Sequence, residues 1–219
     1  MTIKIRYLSD LHLEFIKPQH IHSWIAQITP GLDEICILAG DIGNPYQHNY
    51  NTFMQFVNTN FLKTFVIPGN HEYYGLKHTI QQTNQFLQHY FTQFNNITFL
   101  NNTFEIFHNH CFIGNTLWSH IYNPEFTIND IKLIKDLDCI KYNQLHYDCI
   151  KFLEDVIRDN TNCIIITHHL PSYSLIHSKY KIKDMPPYNQ WFACNMDTFI
   201  QDNKQKIKCW ISFKRLLAF

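Results

Sequence analysis

The sequence of 219 residues lacks several features that would identify whole classes of protein. No hydrophobic run approaches the roughly 18 apolar residues of a membrane-spanning helix, and the amino terminus lacks the long apolar core of a signal peptide. The seven cysteines form no C-x-x-C pair and lie mostly in apolar stretches, which favours buried, reduced thiols over disulfides. We therefore predict a cytoplasmic or otherwise intracellular protein that is neither secreted nor held in a membrane.

An excess of charge of one sign is also absent. Eighteen Lys and Arg residues balance 18 Asp and Glu residues, so no overall field attracts nucleic acid or an anionic membrane. A nucleic-acid partner is therefore not indicated, and a substrate that carries phosphate must be attracted locally. Nothing in the sequence determines the oligomeric state. Histidine is abundant, with 14 residues, but many lie in polar segments, so only their positions can identify metal ligands.

Internal repeats and linkers rich in glycine and serine are missing too, and the length suits one domain over residues 1–219. Helical apolar faces occur within 21–28, 50–57 and 145–156. Strand-like runs rich in β-branched residues occur at 3–8, 35–39, 64–67, 97–100, 104–107, 111–114, 163–167 and 208–212. Because strands and helices alternate, we predict an α/β fold, which some schemes would call α+β.

Two segments depart from this alternation. Residues 97–118 contain three short strand-like runs without a helix between them, with turn candidates at 101–102 and 108–110, which predicts a second sheet stacked on the first. Residues 184–188 include two consecutive prolines, which predict an irregular loop.

Polar strings follow four of the predicted strands. They read Asp10-Leu11-His12, Gly40-Asp41, Gly69-Asn70-His71-Glu72 and His168-His169. Each string alone could be an ordinary exposed turn at the end of a strand. However, loops at the carboxyl ends of strands converge on the ligand crevice of open α/β sheets. The ordered set therefore predicts that four separated segments meet at one site.

The residue types in these strings indicate metal binding. Carboxylate oxygens, imidazole nitrogens and an amide oxygen suit Mn, Fe, Zn or Mg, and no thiolate is present to favour a structural zinc site. A carboxylate can bridge two cations, and Asp41 is the candidate for that role. Gly40 is expected to let the backbone pack close to the site, and Gly69 to permit a sharp turn out of the strand.

The ordered strings resemble the pattern of the calcineurin-like metallophosphoesterase family, which reads D-x-H, GD, GNH(E/D), a His at the end of a strand, and G-H-x-H. The first four occur here in order, and the resemblance covers essentially the whole chain. Their flanking residues resemble a branch of small phosphoesterases. The resemblance implies two stacked mixed β-sheets flanked by helices, an αββα sandwich, and a hydrolase that acts on a small phosphate mono- or diester.

The resemblance also implies two divalent metal ions. One would bind Asp10, His12 and Asp41, and the other would bind Asp41, Asn70 and His168. In the family, a water that bridges the two ions becomes a hydroxide near neutral pH and attacks phosphorus in line.

The remaining roles follow from the same resemblance. His71 would protonate the leaving alkoxide or stabilise charge on the transferring phosphoryl group. His168 is favoured over His169 as the ligand because it is the first His after its strand, and His169 would then line the pocket. Asn44 is the candidate to orient His71, since the acid and arginine that follow GD in phosphoprotein phosphatases are absent here. A phosphoprotein phosphatase is therefore not expected.

The last motif of the family, G-H-x-H, is missing. After the strand-like run 208–212 the sequence continues to Phe219 with an apolar and basic segment, 213–219. The resemblance then implies a domain truncated before its last metal-binding loop, incomplete occupancy by metal and weakened catalysis. The alternatives are a non-catalytic relic or metal-binding module of the same fold, and a nuclease, which the neutral charge disfavours. His120 and His146 are the histidines that could replace a lost ligand.

Overall fold

In the computed structural model, which describes residues 3–180 and 186–212, eight strands form two four-stranded sheets. The first sheet is parallel throughout and contains, in spatial order, β1 (Lys4–Leu8), β2 (Gly31–Ala39), β3 (Phe61–Ile67) and β4 (Ile97–Phe99). The second sheet is mixed and contains, in spatial order, β5 (Thr103–Phe107), β6 (His110–Asn115), β7 (Cys163–Thr167) and β8 (Ile207–Ser212). The predicted α/β fold is confirmed.

Helices cover the outer faces of both sheets. The first three are α1 (Ile21–Ile25), α2 (His48–Asn60) and α3 (Ile80–Phe91), whose apolar side chains pack with those of the first sheet. The others are α4 (Asn129–Leu133), the long α5 (Cys139–Asp159), α6 (Pro186–Asn189) and α7 (Asp197–Asp202). Apolar side chains of α5 pack with those of β6 and β7. The layers are therefore helix, sheet, sheet and helix.

The central core lies between the two sheets. Because successive side chains of a strand point to opposite faces, β2 sends Ile35 and Ile37 into this core and Cys36 toward the helices. Both faces of β2 are covered, which explains why its apolar run is continuous rather than alternating. Phe65 of the first sheet stacks on Phe112 of the second, with their ring centroids 4.2 Å apart.

The second half of the first sheet differs from the prediction. The run 97–100 was expected in the second sheet, but β4 pairs in parallel with β3 of the first. The connection is α3, which the sequence analysis did not predict and which begins with a capping box formed by Thr79 and Gln82. The hairpin of β5 and β6 matches the prediction, since His108 and Asn109 have φ of 48° and 61°, as a tight hairpin turn requires.

The prediction of an irregular loop over 184–188 is wrong for the two prolines and residue 188, because residues 186–189 form the helix α6. Proline is accepted in the first turn of a helix because its missing N–H would have no partner there. Residues 184–185 and the segment 213–219 lie outside the described residues. All seven cysteines are free thiols. No helix in the described ranges has both the length and the apolar character needed to cross a bilayer.

Candidate metal centre

The loops that carry the first two motifs have a strained backbone. Asp10, His12 and Asp41 have φ of 52°, 47° and 52°, in the left-handed region that residues other than glycine rarely adopt. Each such residue costs about 1–3 kcal/mol, and strain of this kind collects at functional sites. The loops are held together by hydrogen bonds from Asp10 N to Gly40 O, at 3.1 Å, and from His12 N to Asp41 O, at 3.0 Å.

Two glycines allow the loops to approach one another. Gly40 has φ of 84°, and a Cβ atom there would lie 2.7 Å from Nδ1 of His168. This agrees with the close packing that the sequence predicted. A Cβ atom at Gly69 would lie 2.2 Å from Oδ1 of Asp41. Gly69 therefore makes room for the Asp41 carboxylate at the point where the chain leaves β3, and its φ is not positive.

Asp41 lies at the centre of the site. Its carboxylate is 3% exposed, Oδ1 accepts a hydrogen bond from His71 N at 2.9 Å, and Oδ2 lies 3.1 Å from Nε2 of His168. Nδ1 of His168 is 2.9 Å from the carbonyl oxygen of Ala39, which can only accept, so Nδ1 carries the proton. In the neutral ring, Nε2 then directs a lone pair toward a carboxylate oxygen. Such a pair of acceptors calls for a proton or a cation close to both atoms.

The ligand atoms form two groups that share Asp41. Atoms of Asp10, Asp41 and His168 lie within 4.8 Å of one another, and so do atoms of His12, Asp41 and His71. The sequence instead grouped His12 with Asp10, and it assigned His71 a catalytic role. The donors are carboxylate oxygens and imidazole nitrogens, which fit divalent cations such as Mn, Fe, Zn or Mg. A shared carboxylate fits a bridge between two of them.

Glu14 organises two of these imidazoles. Its Oε1 accepts from Nδ1 of His71 at 3.2 Å and lies 3.3 Å from Nδ1 of His12. Burial raises the pKa of Glu14, but the hydrogen bonds from His12 and His71 outweigh burial and lower that pKa to about 2. The charged carboxylate accepts from Nδ1 of both rings, which leaves Nε2 of each ring to act as a ligand or to face substrate.

The residue that orients His71 is thus Glu14 and not Asn44, which was predicted for that role. Asn44 lines the same pocket, but its Oδ1 accepts from the backbone N–H of Tyr46 at 3.0 Å. The pKa of His12 is raised: burial lowers it, and the hydrogen bond to Glu14 together with the Asp41 carboxylate outweighs burial.

A buried carboxylate orients the amide of Asn70. Nδ2 of Asn70 donates to Oδ1 of Asp130 at 2.8 Å and to the hydroxyl of Tyr74 at 3.0 Å. The Tyr74 hydroxyl also donates to Oδ1 of Asp130, and burial together with that carboxylate raises the pKa of Tyr74. These two bonds fix the orientation of the amide, whose oxygen is the only one of its side-chain atoms with lone pairs that suit a cation.

Glu72 ties two metal-ligand loops together. Its carboxylate is 2% exposed and accepts from the backbone N–H groups of Asp41, Ile42, Gly43 and Gly69 at 2.7 to 3.3 Å. Burial and the neighbouring Asp41 carboxylate raise the pKa of Glu72 to about 7, against the effect of the amide donors. One side chain therefore fixes the distance between the Gly40-Asp41 and Gly69-Asn70 loops.

The other histidines singled out from the sequence lie elsewhere. His169 is fully buried, its Nδ1 accepts from Ser119 N at 3.1 Å, and it is not among the described side chains that line the pocket. His120 bonds to the Tyr147 hydroxyl, and Nδ1 of His146 lies 2.7 Å from the carbonyl of Trp118. His120 and His146 line a separate, smaller cavity of about 140 Å³.

A pocket of about 640 Å³ opens over the site. His12, Asp41, Asn70 and His71 line it, so three of the five predicted ligands and the predicted catalytic histidine reach a common cavity, whereas Asp10 and His168 are not among its described lining residues.

Comparison with known proteins agrees with this geometry. The family model described as calcineurin-like phosphoesterase matches residues 3–204. The chain belongs to the calcineurin-like phosphoesterase family. It is 33% identical over 192 residues to the uncharacterized protein L509 of Acanthamoeba polyphaga mimivirus, an alignment that covers 78% of this chain and 69% of that protein.

Solved structures share the fold of this family member. The phosphopantetheinyl hydrolase PptH from Mycobacterium tuberculosis superposes with a TM-score of 0.71 at 13% identity, over 99% of this chain and 85% of that one. A second solved structure superposes with a TM-score of 0.56 at 14% identity, over 98% of this chain and 86% of that one. At these identities the likeness concerns the fold.

Sequence reasoning missed the supporting residues of the site. Glu14 and Glu72 stand inside or beside the motifs, and an acid within two residues of an expected ligand was the available signal. Asp130 lies in a segment without any motif. Only the folded structure shows that its carboxylate contacts Asn70.

Proposed function

We propose that this family member is a metal-dependent phosphoesterase that hydrolyses a phosphate mono- or diester. The observation that carries the proposal is the position of Asp41, which belongs to both groups of closely spaced ligand atoms. A single carboxylate shared in this way suits a centre with two cations, which is the arrangement for phosphate ester hydrolysis.

The proposed ligands are Asp10, His12, Asp41, Asn70 and His168. Their oxygen and nitrogen donors suit Mn, Fe, Zn or Mg, and no thiolate lies among them. When bound, divalent cations would lower the pKa of water and offset the negative charge of the phosphoryl group. The protein's own contribution is to hold these donors at fixed positions, through Glu14, Glu72 and Asp130.

His71 is the proposed proton donor. It lines the pocket, and Glu14 holds its Nδ1 so that Nε2 is available to the substrate. In hydrolysis, the oxygen of water forms a new bond to phosphorus and releases a proton to solvent, while the bond from phosphorus to the leaving oxygen breaks. For this role His71 must be in its imidazolium form: Nε2–H gives its proton to the leaving oxygen, Nδ1–H stays on Glu14, and the ring then recovers a proton from solvent.

The proposal is tested with the purified chain in Mn²⁺, by following the release of p-nitrophenol from mono- and diesters of p-nitrophenyl phosphate. We expect Asp41→Asn and His71→Ala to lower kcat/KM by about 100-fold or more. His120→Ala is the matched control, since His120 lies in another cavity, and it should retain activity. Equal activity in Asp41→Asn would contradict the proposal. Metal binding without turnover of any ester would instead support the alternative of a non-catalytic metal-binding protein.

A further inference from the structure

The pocket over the metal centre is lined by two kinds of side chain. Polar residues form one part of it, and five apolar or aromatic side chains form another: the exposed Phe15 and Leu133 and the half-buried Tyr74, Ile128 and Phe192. Tyr74 stacks on His71 with ring centroids 4.2 Å apart, and the ring of Phe15 lies 5.8 Å from that of His12. Apolar surface therefore begins directly beside the imidazoles.

The charge of the pocket is unusual for a site that receives phosphate. None of the described residues that line it is Lys or Arg, whereas Glu14, Asp41 and Asp130 contribute carboxylates. Proteins that hold a doubly charged phosphate commonly use the paired donors of Arg or the ammonium of Lys. Here, a negative charge beyond those that bound cations offset would face three carboxylates, with the imidazoles of His12 and His71 and several neutral amides but no Lys or Arg among the described lining residues.

We propose that the substrate is a small phosphodiester with one negative charge and an aryl or alkyl substituent, an inference that rests on the proposed hydrolytic function. A phosphate monoester carries about 1.5 to 2 negative charges near pH 7, and a nucleic acid carries one for each nucleotide. A diester carries only one. Its second substituent can contact Phe15, Tyr74 and Leu133, which gains the free energy of removing apolar surface from water.

A neighbouring cavity provides a contrast. It measures about 270 Å³, shares Tyr74 and Gly75 with the main pocket, and is lined by Lys77 and His78. The ring of His78 stacks on Tyr46, with centroids 4.4 Å apart. Lys77 is therefore the residue to test as an alternative source of positive charge for a more highly charged substrate.

The first test compares three esters with the same leaving group in the Mn²⁺-loaded chain: p-nitrophenyl phosphate, methyl p-nitrophenyl phosphate and phenyl p-nitrophenyl phosphate. We expect kcat/KM to be about tenfold higher for the phenyl diester than for the methyl diester, and higher for either diester than for the monoester. A preference for the monoester would overturn the inference and leave the proposed hydrolysis intact.

The second test changes the apolar side chains. Phe15→Ala and Leu133→Ala should raise KM for the phenyl diester severalfold, and by a larger factor than KM for the methyl diester. Ile140→Ala is the matched control, because Ile140 is 83% exposed and does not line the pocket.

Lys77→Ala should leave the ratio of monoester to diester rates unchanged. A selective loss of monoester activity in Lys77→Ala would instead show that Lys77 in the neighbouring cavity binds the doubly charged phosphate of a monoester. That result would overturn the inference.

The third test measures binding without turnover, so that the two proposals fail separately. Calorimetry of the Mn²⁺-loaded chain should give tighter binding for diphenyl phosphate than for dimethyl phosphate or phenyl phosphate, and Phe15→Ala should abolish that preference. If no ester is hydrolysed but this order of affinity holds, the hydrolytic function fails while the ligand class stands. Equal or reversed affinities, or no binding of any of the three, would overturn the inference.

Discussion

The side-chain amide of Asn70 donates to the buried carboxylate of Asp130 over 2.8 Å. Asn70 follows β3 and Asp130 lies in α4, so two distant parts of the chain meet beside the candidate metal centre. Asp130 is 0% exposed, and its Oδ2 has no hydrogen-bond partner among the described residues. The contact holds the amide nitrogen of Asn70, and under the proposed function it would orient the amide oxygen toward a cation.

Replacing Asp130 tests this relationship. In Asp130→Ala the amide of Asn70 loses one of its two acceptors and Tyr74 loses the acceptor of its hydroxyl, and we expect affinity for Mn²⁺ to fall by about 10- to 100-fold, as for other residues that orient metal ligands. Asp130→Asn keeps an acceptor oxygen and should retain much of the affinity. The matched control is Asp136→Asn, at an exposed residue outside the pocket. Unchanged affinity in Asp130→Ala, measured by calorimetry, would show that Asn70 needs no such support.

Glu72 should contribute strongly to the stability of the fold. Glu72→Ala removes the acceptor of four backbone N–H groups in a buried place, and each unsatisfied group costs about 1–3 kcal/mol. We expect a loss of about 3–5 kcal/mol in the free energy of unfolding, measured by denaturant titration of the metal-free chain. Glu154→Ala, at an exposed position of α5, should change that free energy by less than about 0.5 kcal/mol. Similar losses in the two variants would contradict the role assigned to Glu72.

Glu14 should make the stability of the metal-free chain depend on pH. Its pKa is about 2 in the folded chain, against an ordinary value of 4.5. Since the unfolded chain binds more protons between these values, the stabilisation by Glu14 is complete above about pH 4.5 and is lost as the pH falls toward 2. The free energy of unfolding of the native chain should therefore exceed that of Glu14→Gln by more near pH 7 than near pH 3. Thermal unfolding in the presence of a chelator measures the free energy of unfolding of the native chain and of Glu14→Gln. A difference between them that does not vary with pH would contradict the lowered pKa of Glu14.

The positions of the predicted ligands could be read from the sequence because each follows a strand with a strong local signal. The apolar runs of β2 and β7 predict buried strands, and in an α/β fold that is enough to place Asp41 and His168 each at the carboxyl end of its strand, although the two strands belong to different sheets. Membership of β4 in the first sheet could not be read in this way. It depends on pairing with β3 through α3, which is a non-local contact.

The residues that support the ligands were the least predictable. Asp130 is separated from Asn70 by 60 positions in the sequence, and no periodic pattern or motif marks it. The contact between Glu14 and His71 spans 57 positions and likewise exists only in the folded chain. His169 shares the string of His168, yet adjacent residues at the end of a strand face opposite sides, and only His168 reaches Asp41.

Calorimetric titration of the metal-free chain with Mn²⁺ tests whether Asp41 is shared by two cation positions. We expect binding of two ions per chain, weaker binding of both in Asp41→Asn, and unchanged binding in His120→Ala. Binding by Asp41→Asn with the stoichiometry and affinity of the native chain, or no binding by the native chain, would contradict this shared role of Asp41.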